Sequence, residues 1–140
     1  MVPAKRTRHS VYDLKYHFVW VPKYRKLVLK DEVGDTLENI LKGIANRYDI
    51  EIDTLEVMPD HVHLFASAPP KYSPSKVVQI MKSISARKLF ELHPEVREKL
   101  WGGALWADGF FVRSVGDNVT KKVIRRYIKS QHEDQLRFDL

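Results

Sequence analysis

An α+β fold is predicted for this chain, with helices on one face of an antiparallel sheet, because three sequence patterns indicate it. Apolar residues alternate with polar ones over 11–21, which is typical of a strand. Apolar residues recur at helical spacing over 32–48. Two short apolar runs, 50–58 and 61–68, are separated by a Pro-Asp pair, which indicates two strands joined as a hairpin.

The first predicted strand and the first predicted helix each have one apolar side. The strand face expected to be buried carries Tyr12, Leu14, Tyr16, Phe18 and Trp20. The opposite face carries Lys15, His17 and Val19. The apolar stripe of the helix consists of Val33, Leu37, Ile40, Leu41, Ile44 and Tyr48. Both elements are therefore expected to pack against one core.

A second helix and a fourth strand follow the hairpin. Ser73 is a candidate N-cap for a helix over 74 to about 93, which begins with proline. Its apolar stripe consists of Val77, Ile80, Met81 and Ile84. A strand is predicted over 104–115, interrupted near Gly109, and a last helix over 119–131. The order β-α-β-β-α-β is ferredoxin-like, with one added C-terminal helix.

Composition limits the class of protein. The chain has 140 residues, 44% hydrophobic and 30% charged, which fits a single globular domain with a basic arm at 1–10 and a tail at 133–140. It contains no cysteine, which excludes disulfides, zinc–thiolate sites and thiol nucleophiles. The sequence has neither a membrane-length apolar run nor a signal core, so we expect a soluble, cytoplasmic protein.

The charge balance favours a polyanionic partner. The 24 Lys and Arg residues outnumber 18 Asp and Glu residues, and the sequence pI is about 9.5. Nucleic acid is the simplest partner for such a chain. Candidate DNA contacts lie in the N-terminal arm, the second predicted helix and the last predicted helix: Arg6, Arg8, Lys82, Arg87, Lys88, Arg125 and Arg126.

Two histidines one residue apart, His61 and His63, lie on the third predicted strand. Residues two apart on a strand project from the same face, so the imidazoles would stand side by side. Such a pair can chelate a divalent metal, although a lone His-x-His is more often a pair of surface or hydrogen-bonded histidines. His17, on the first strand, is either a neighbour of this site or a packing residue.

A second candidate feature lies on the last predicted helix. Tyr127 and Gln131 are four residues apart and therefore share one helix face. Tyr127 alone could simply pack in the core. Gln131 fits a core poorly because its amide needs buried hydrogen-bond partners. A site explains both residues better, with Gln131 as an oxygen ligand of a metal and Tyr127 as a phenol beside it.

Together these motifs resemble the small single-tyrosine transposases of the HUH nuclease superfamily, the IS200-like family encoded by compact insertion sequences. The stretches that carry the resemblance are MPDHVHL (58–64), YIKSQH (127–132), YHFVWVPKYRK (16–26) and LWGGALW (100–106). The resemblance extends over about residues 11 to 132, so the basic N-terminal arm lies outside it.

The resemblance implies a DNA transposase that cleaves and rejoins single-stranded DNA at insertion-sequence ends. Tyr127 would attack a backbone phosphorus and form a 5′-phosphotyrosine linkage, which keeps the phosphodiester energy for strand transfer. The metal ligands would be His61, His63 and Gln131. Mg²⁺ is the expected ion, and Mn²⁺ should substitute because it accepts imidazole more readily.

The resemblance also implies partners. The DNA would be single-stranded element ends that contain hairpins, or repeated chromosomal hairpins in a related variant. The protein would form a homodimer in which each site joins His61 and His63 of one chain to Tyr127 of the other. The local sequence permits this because Gly116 precedes the last helix, but it permits a site within one chain equally.

Two other functions are compatible with parts of the sequence. A non-catalytic single-stranded nucleic-acid-binding module of RNA-recognition-like fold would share the element order, and DGFFVRS (108–114) echoes its aromatic motif. That motif belongs on the third strand, whereas DGFFVRS falls on the fourth. A metal-dependent hydrolase that activates water is the other alternative, and it would tolerate loss of Tyr127.

The three tryptophans are Trp20, Trp101 and Trp106. We expect them in the core, where large aromatic side chains are usually buried. Any one of them that is exposed instead could stack a nucleobase.

Overall fold

A computed structural model of this chain describes residues 5–6, 11–12, 14–115 and 128–129. In chain order its elements are β1 (Lys5–Arg6), β2 (Val11–Tyr12), β3 (Lys15–Trp20), a tight turn (Lys23–Arg25), α1 (Asp31–Arg47), β4 (Glu51–Met58), β5 (His61–Ser67), α2 (Pro74–Leu92), α3 (Pro94–Lys99) and β6 (Phe111–Ser114). No helix within these ranges is long and apolar enough to cross a lipid bilayer.

The main sheet has four strands in the order β4-β5-β3-β6, and every neighbouring pair is antiparallel. With α1 after β3 and α2 after β5, the chain follows the predicted ferredoxin-like order. The strands β5 and β3 occupy the centre of the sheet, so His61 and His63 lie on an interior strand. Of the predicted last helix, Ile128 and Lys129 are helical, and the other residues lie outside the described ranges.

One face of the sheet, which we call the helix face, packs against α1 and α2. From the sheet it carries the buried side chains Phe18, Trp20, Val62 and Leu64. From the two helices it receives Leu37, Leu41, Ile44, Val77, Ile80 and Met81. These helical residues belong to the predicted apolar stripes. The predicted N-cap of α2 is also confirmed, because Ser73 Oγ accepts a hydrogen bond of 3.1 Å from Lys76 N.

Two predicted strands are shorter than expected. The strand over 11–21 is divided, because β2 pairs with β1 in a separate two-stranded sheet and β3 begins only at Lys15. The strand predicted over 61–68 ends one residue early, as β5, at Ser67. Pro69 and Pro70 follow, and they have no N–H with which to extend the strand ladder.

The predicted strand over 104–115 is also reduced, to β6, after the expected interruption near Gly109. Gly109 has a φ of 82°, which is incompatible with a continuous strand. Earlier in this stretch Trp106 forms a single isolated bridge with Pro22. The strand prediction was therefore right for the last third of the range and wrong for the rest.

The segment after α2 holds the largest difference from expectation. The helix α3 was not predicted, and Leu100, at its C-terminal end, is buried. The chain then reverses through left-handed conformations at Trp101 and Gly102, with φ of 54° and 74°. This reversal turns the Trp101 side chain outward, where it is 69% exposed. The expectation of a core position is confirmed for Trp20 and Trp106 and wrong for Trp101.

Candidate active site

The face of the sheet opposite to the helix face, which we call the histidine face, carries three imidazoles. His61 and His63 project from β5, with ring centroids 5.5 Å apart. His17 projects from the adjacent β3, and its ring meets that of His63 edge to face at 4.6 Å. The atoms His17 Nε2 and His63 Nδ1 are 3.3 Å apart, within hydrogen-bonding distance. The structure therefore places His17 beside the predicted histidine pair.

The turn between β4 and β5 fixes the orientation of His61. Its Nδ1–H donates a hydrogen bond of 2.8 Å to Asp60 Oδ1, and Arg25 Nε donates one of 2.7 Å to Asp60 Oδ2. An ionised carboxylate only accepts, so the proton of a neutral His61 lies on Nδ1 and the lone pair on Nε2. Burial raises the pKa of Asp60, but the hydrogen bonds from His61 and Arg25 outweigh burial and hold the pKa below its usual value.

Burial favours the neutral form of the other two imidazoles, because it lowers the pKa of each. Burial lowers the pKa of His63 to about 4, and repulsion from His17 and His61 adds to this effect. Burial also lowers the pKa of His17. Glu56, paired with His63 across the β4–β5 ladder, opposes both shifts. Neutral imidazoles have a free lone pair, which is the state that binds a metal.

The described part of the chain holds two candidate metal ligands. In those ranges no three His, Cys, Asp or Glu side chains are arranged to hold a metal ion. The chemistry of His61 and His63 nevertheless fits two ligands, because both are imidazoles and their rings share a strand face. Further ligands have to come from elsewhere in the chain, from water or from substrate. The predicted third ligand, Gln131, and the predicted nucleophile, Tyr127, lie outside the described residues.

One contact relates the C-terminal segment to this face. Ile128, which directly follows Tyr127 in sequence, is buried and packs in a cluster with Val19, Val21 and Ala107. Val19 lies on the histidine face and is the β3 partner of His63 in the strand ladder. The residue next to Tyr127 is therefore anchored on the same side of the sheet as the imidazoles.

The predicted DNA contacts fall into three groups. Arg87 and Lys88 are exposed on α2, as a DNA contact requires. Lys82 Nζ instead donates hydrogen bonds to the carbonyl oxygens of Ala107 and Gly109, so its ammonium holds the loop before β6. Burial lowers the pKa of Lys82 to about 8, against the attraction of Asp108. A DNA contact by Lys82 stays a prediction.

The remaining predicted contacts are not placed by the structure. Arg6 belongs to the short strand β1, and its side chain lies outside the description. The other members of the set, Arg8, Arg125 and Arg126, lie outside the described residues. Their roles as DNA contacts therefore stay predictions.

Sequence reasoning missed three charged residues around the histidines. Asp60 was signalled by its position directly before His61 in the Pro-Asp turn. Glu56 could have been found by counting back across the hairpin, which pairs it with His63. Arg25 gave no local signal, because its contact with Asp60 joins segments that only the folded chain brings together.

A comparison with known families settles which family this fold and site belong to. The model of the IS200-like transposases matches residues 10–131. This chain belongs to that family. It is therefore a DNA transposase, an enzyme that acts on DNA, and the non-catalytic binding module is not favoured.

Relatives of this transposase are similar over nearly their whole length. The ISDra2 transposase TnpA of Deinococcus radiodurans is 45% identical over 131 residues, which cover 94% of this chain and 93% of the relative. The transposase for insertion sequence element IS200 of Salmonella typhimurium is 32% identical over 134 residues, covering 96% and 87%.

Solved structures agree with the fold of this transposase. A crystal structure of a candidate transposase from Deinococcus radiodurans R1 matches with a TM-score of 0.83 and 42% identity, covering 91% of this chain and 98% of the other. A REP-associated tyrosine transposase bound to a REP hairpin matches with a TM-score of 0.53 and 14% identity, covering 96% and 73%. The second match bears on the fold alone.

Proposed function

We propose that this transposase cleaves and rejoins single-stranded DNA in the cytoplasm through a covalent 5′-phosphotyrosine intermediate on Tyr127. His61 and His63 would hold a divalent metal beside the phosphate that is cut. The observation that carries the proposal is the oriented His61–His63 pair, with the lone pair of His61 on Nε2 because Asp60 accepts from Nδ1. Ile128, the neighbour of Tyr127, lies on the same face of the sheet.

The proposed reaction is a displacement at phosphorus. The phenol oxygen of Tyr127 forms a bond to the phosphorus, and the bond from phosphorus to the 3′-oxygen breaks. The phenol proton leaves, and the departing 3′-oxygen takes up a proton to become a hydroxyl. A free phenol has a pKa of about 10, so Tyr127 needs an acceptor for its proton at neutral pH. Rejoining reverses these steps with a new 3′-hydroxyl.

The proposed ligand set is His61, His63 and the amide oxygen of Gln131. When bound, a divalent metal supplies positive charge to a phosphoryl oxygen. Three neutral ligands would leave that charge undiminished. Mg²⁺ is the proposed ion, and Mn²⁺ should be active too, since imidazole suits it better.

The proposed DNA partner is a single strand whose ends contain hairpins. A tyrosine transposase of the same fold has been solved bound to a REP hairpin, which motivates this proposed partner. The proposed assembly is a homodimer in which His61 and His63 of one chain act with Tyr127 of the other. The alternative is a site within one chain, for which the packing of Ile128 against Val19 is a suitable starting arrangement.

The test of the function uses oligonucleotides that cover the flanks of the gene. The protein is incubated with each strand and a divalent metal, and a denaturing gel is examined for a protein–DNA adduct. Tyr127→Phe should abolish the adduct while hairpin binding stays near that of the unmodified protein, because only the phenol oxygen is lost. An adduct of normal yield in Tyr127→Phe would remove Tyr127 from the mechanism.

A mixing experiment separates the two assemblies. Tyr127→Phe and His61→Ala, each inactive, are prepared with different tags and allowed to exchange subunits. A site shared between chains should restore cleavage, with the adduct only on the His61→Ala chain. A site within one chain leaves every site damaged, so verified exchange without cleavage would contradict the shared arrangement.

A further inference from the structure

Outside the histidine site, the most distinctive surface feature is an aromatic pair, the exposed Trp101 and the half-buried Tyr24. Trp101 is 69% exposed, whereas Trp20 and Trp106 are 0% and 6% exposed. The ring of Tyr24 meets that of Trp101 edge to face, with centroids 4.9 Å apart. The ammonium of Lys26 lies 4.1 Å from the centroid of the Trp101 ring. We call Tyr24, Lys26 and Trp101 the Trp101 platform.

The backbone under the platform is in an unfavourable conformation. Tyr24, Arg25 and Trp101 have φ values of 60°, 48° and 54°, in the left-handed region that residues with a Cβ rarely adopt. Such conformations persist where the surroundings fix them, and they cluster at sites of function. The exposed Trp101 ring and the half-buried Tyr24 ring are therefore held in place at a cost in backbone strain.

Hydrogen bonds join the two strained turns to each other. Lys23 N donates to Leu105 O at 2.8 Å, and Pro22 forms a strand bridge with Trp106. Within its own turn, Gly102 N donates to Arg97 O at 2.8 Å. The aromatic pair is thus fixed by backbone contacts on both sides, which limits the entropy lost when a ligand binds.

The platform is also connected to the candidate active site. Arg25 follows Tyr24 directly, and its guanidinium donates to Asp60, which accepts from His61. Tyr24 is therefore one residue along the chain from a side chain that shares the Asp60 carboxylate with His61.

We propose that the Trp101 platform stacks an unpaired nucleobase of the DNA strand that is cut at the histidine site. The indole is 69% exposed, and base stacking on an aromatic ring is tolerant of sequence. The ammonium of Lys26, with that of Lys23 beside Tyr24, supplies positive charge for the adjoining phosphate. The identity of the strand as single-stranded DNA rests on the proposed function.

The test separates base contacts from phosphate contacts. Binding is measured for an oligothymidylate of about 20 nucleotides and for a strand of equal length made of abasic sites, which has the same phosphates but no bases. Trp101→Ala should lower affinity for oligothymidylate by about 5- to 150-fold and leave affinity for the abasic strand unchanged. Trp101→Phe should keep part of the preference for bases.

A matched control uses another exposed apolar side chain. Leu92, at the end of α2, is 62% exposed, so Leu92→Ala removes a comparable surface without an aromatic ring. This variant should bind both strands as the unmodified protein does. Thermal unfolding of all variants checks that they remain folded, which is expected because Trp101 and Leu92 lie outside the core.

Tryptophan fluorescence gives a second readout that does not depend on activity. Because the other two indoles are buried, quenching of fluorescence by oligothymidylate should come from Trp101. The abasic strand should not quench, and Trp101→Ala should lose the quenching. Equal binding of both strands by the unmodified protein, or an undiminished base preference in Trp101→Ala, would overturn the stacking site.

Two further outcomes are distinguished by parallel measurements. If Trp101→Ala changes the oligomeric state in sedimentation but not the base preference, the ring belongs to a contact between chains and the proposal is wrong. If the unmodified protein forms no adduct through Tyr127, the proposed function fails whatever the stacking data show. Normal adduct formation without base stacking would leave the function intact and overturn only the platform.

Discussion

The two faces of the central strands differ in composition, although successive residues of each strand point alternately to one face and the other. On the helix face, Val62 and Leu64 are 0% exposed and pack under α1 and α2. On the histidine face, His61 and His63 are half-buried and bonded to polar neighbours. Each strand therefore contributes alternately to the core and to the candidate site.

The two faces separate most of the side chains that stabilise the domain from those proposed to carry its chemistry. Most apolar burial, at about 25 cal/mol per Å² of apolar surface, lies on the helix face, and a smaller buried cluster around Val19 lies on the histidine face. Groups that carry lone pairs and charges are concentrated on the histidine face, where they are held in orientation by neighbours such as Asp60. Substitutions on the two faces should therefore have separable effects, even at adjacent positions.

The largest effect is expected at His63. His63→Ala should stop cleavage or raise the metal concentration that cleavage requires, because one of two proposed imidazole ligands is lost. Gel assays across a range of Mg²⁺ and Mn²⁺ concentrations measure this effect. Full activity of the unmodified protein in EDTA would count against the metal site.

Leu64→Ala, the next residue on the other face, should show the opposite pattern. Removing this fully buried side chain should lower the free energy of unfolding by about 2–5 kcal/mol. Cleavage should persist at temperatures where the variant is folded. Denaturant unfolding gives the stability, and loss of cleavage by a demonstrably folded Leu64→Ala would show that the two faces are not independent.

A smaller effect is expected at Asp60, which orients His61. Asp60→Asn should weaken metal binding by about 10- to 100-fold, because the charge that holds His61 and Arg25 is removed. Calorimetric titration with Mn²⁺ measures the affinity directly. Asp53→Asn, on an exposed position of β4, is the matched control and should bind metal normally. Equal affinities in the two variants would leave Asp60 without a positioning role.

The smallest effect is a pH dependence of stability in the metal-free protein. The pKa of His63 falls from its ordinary 6.5 to about 4 on folding, so between these values the unfolded chain binds more protons. Stability should therefore decline as pH falls from 6.5 towards 4. Denaturant unfolding in EDTA at several pH values should show this slope, and His63→Gln should reduce it. An unchanged slope in His63→Gln would assign the effect to other groups.

Periodic segments of the sequence predicted the sheet and the two main helices well. The helical spacing of Leu37, Leu41 and Ile44 matches the buried side of α1, and the Pro-Asp pair marked the hairpin. The exposed position of Trp101 could not be predicted, because it follows from a left-handed reversal after a short helix. Residue preferences do not predict this reversal, because they disfavour a positive φ at a tryptophan.

The parts of the candidate site formed by residues close together in sequence could be predicted. Strand periodicity placed His61 and His63 on one face, but the distance from His17 to His63 depends on the register of β3 against β5. The contact between Arg25 and Asp60 likewise requires the tertiary fold. The roles of Tyr127 and Gln131 remain predictions, because both residues lie outside the described ranges.

The confinement of Asp60, His61 and His63 to one hairpin affects when the site forms during synthesis. A hairpin closes in about 1–10 μs, whereas the ribosome adds about 5–20 residues per second. The imidazole pair can therefore be arranged seconds before Tyr127 has been translated. A chain synthesised only as far as β5 would hold the imidazole pair without Tyr127, the proposed nucleophile, and should not form the proposed adduct. In pulse-labelled amide exchange during refolding, the backbone amides of β4 and β5 should become protected before those of β6.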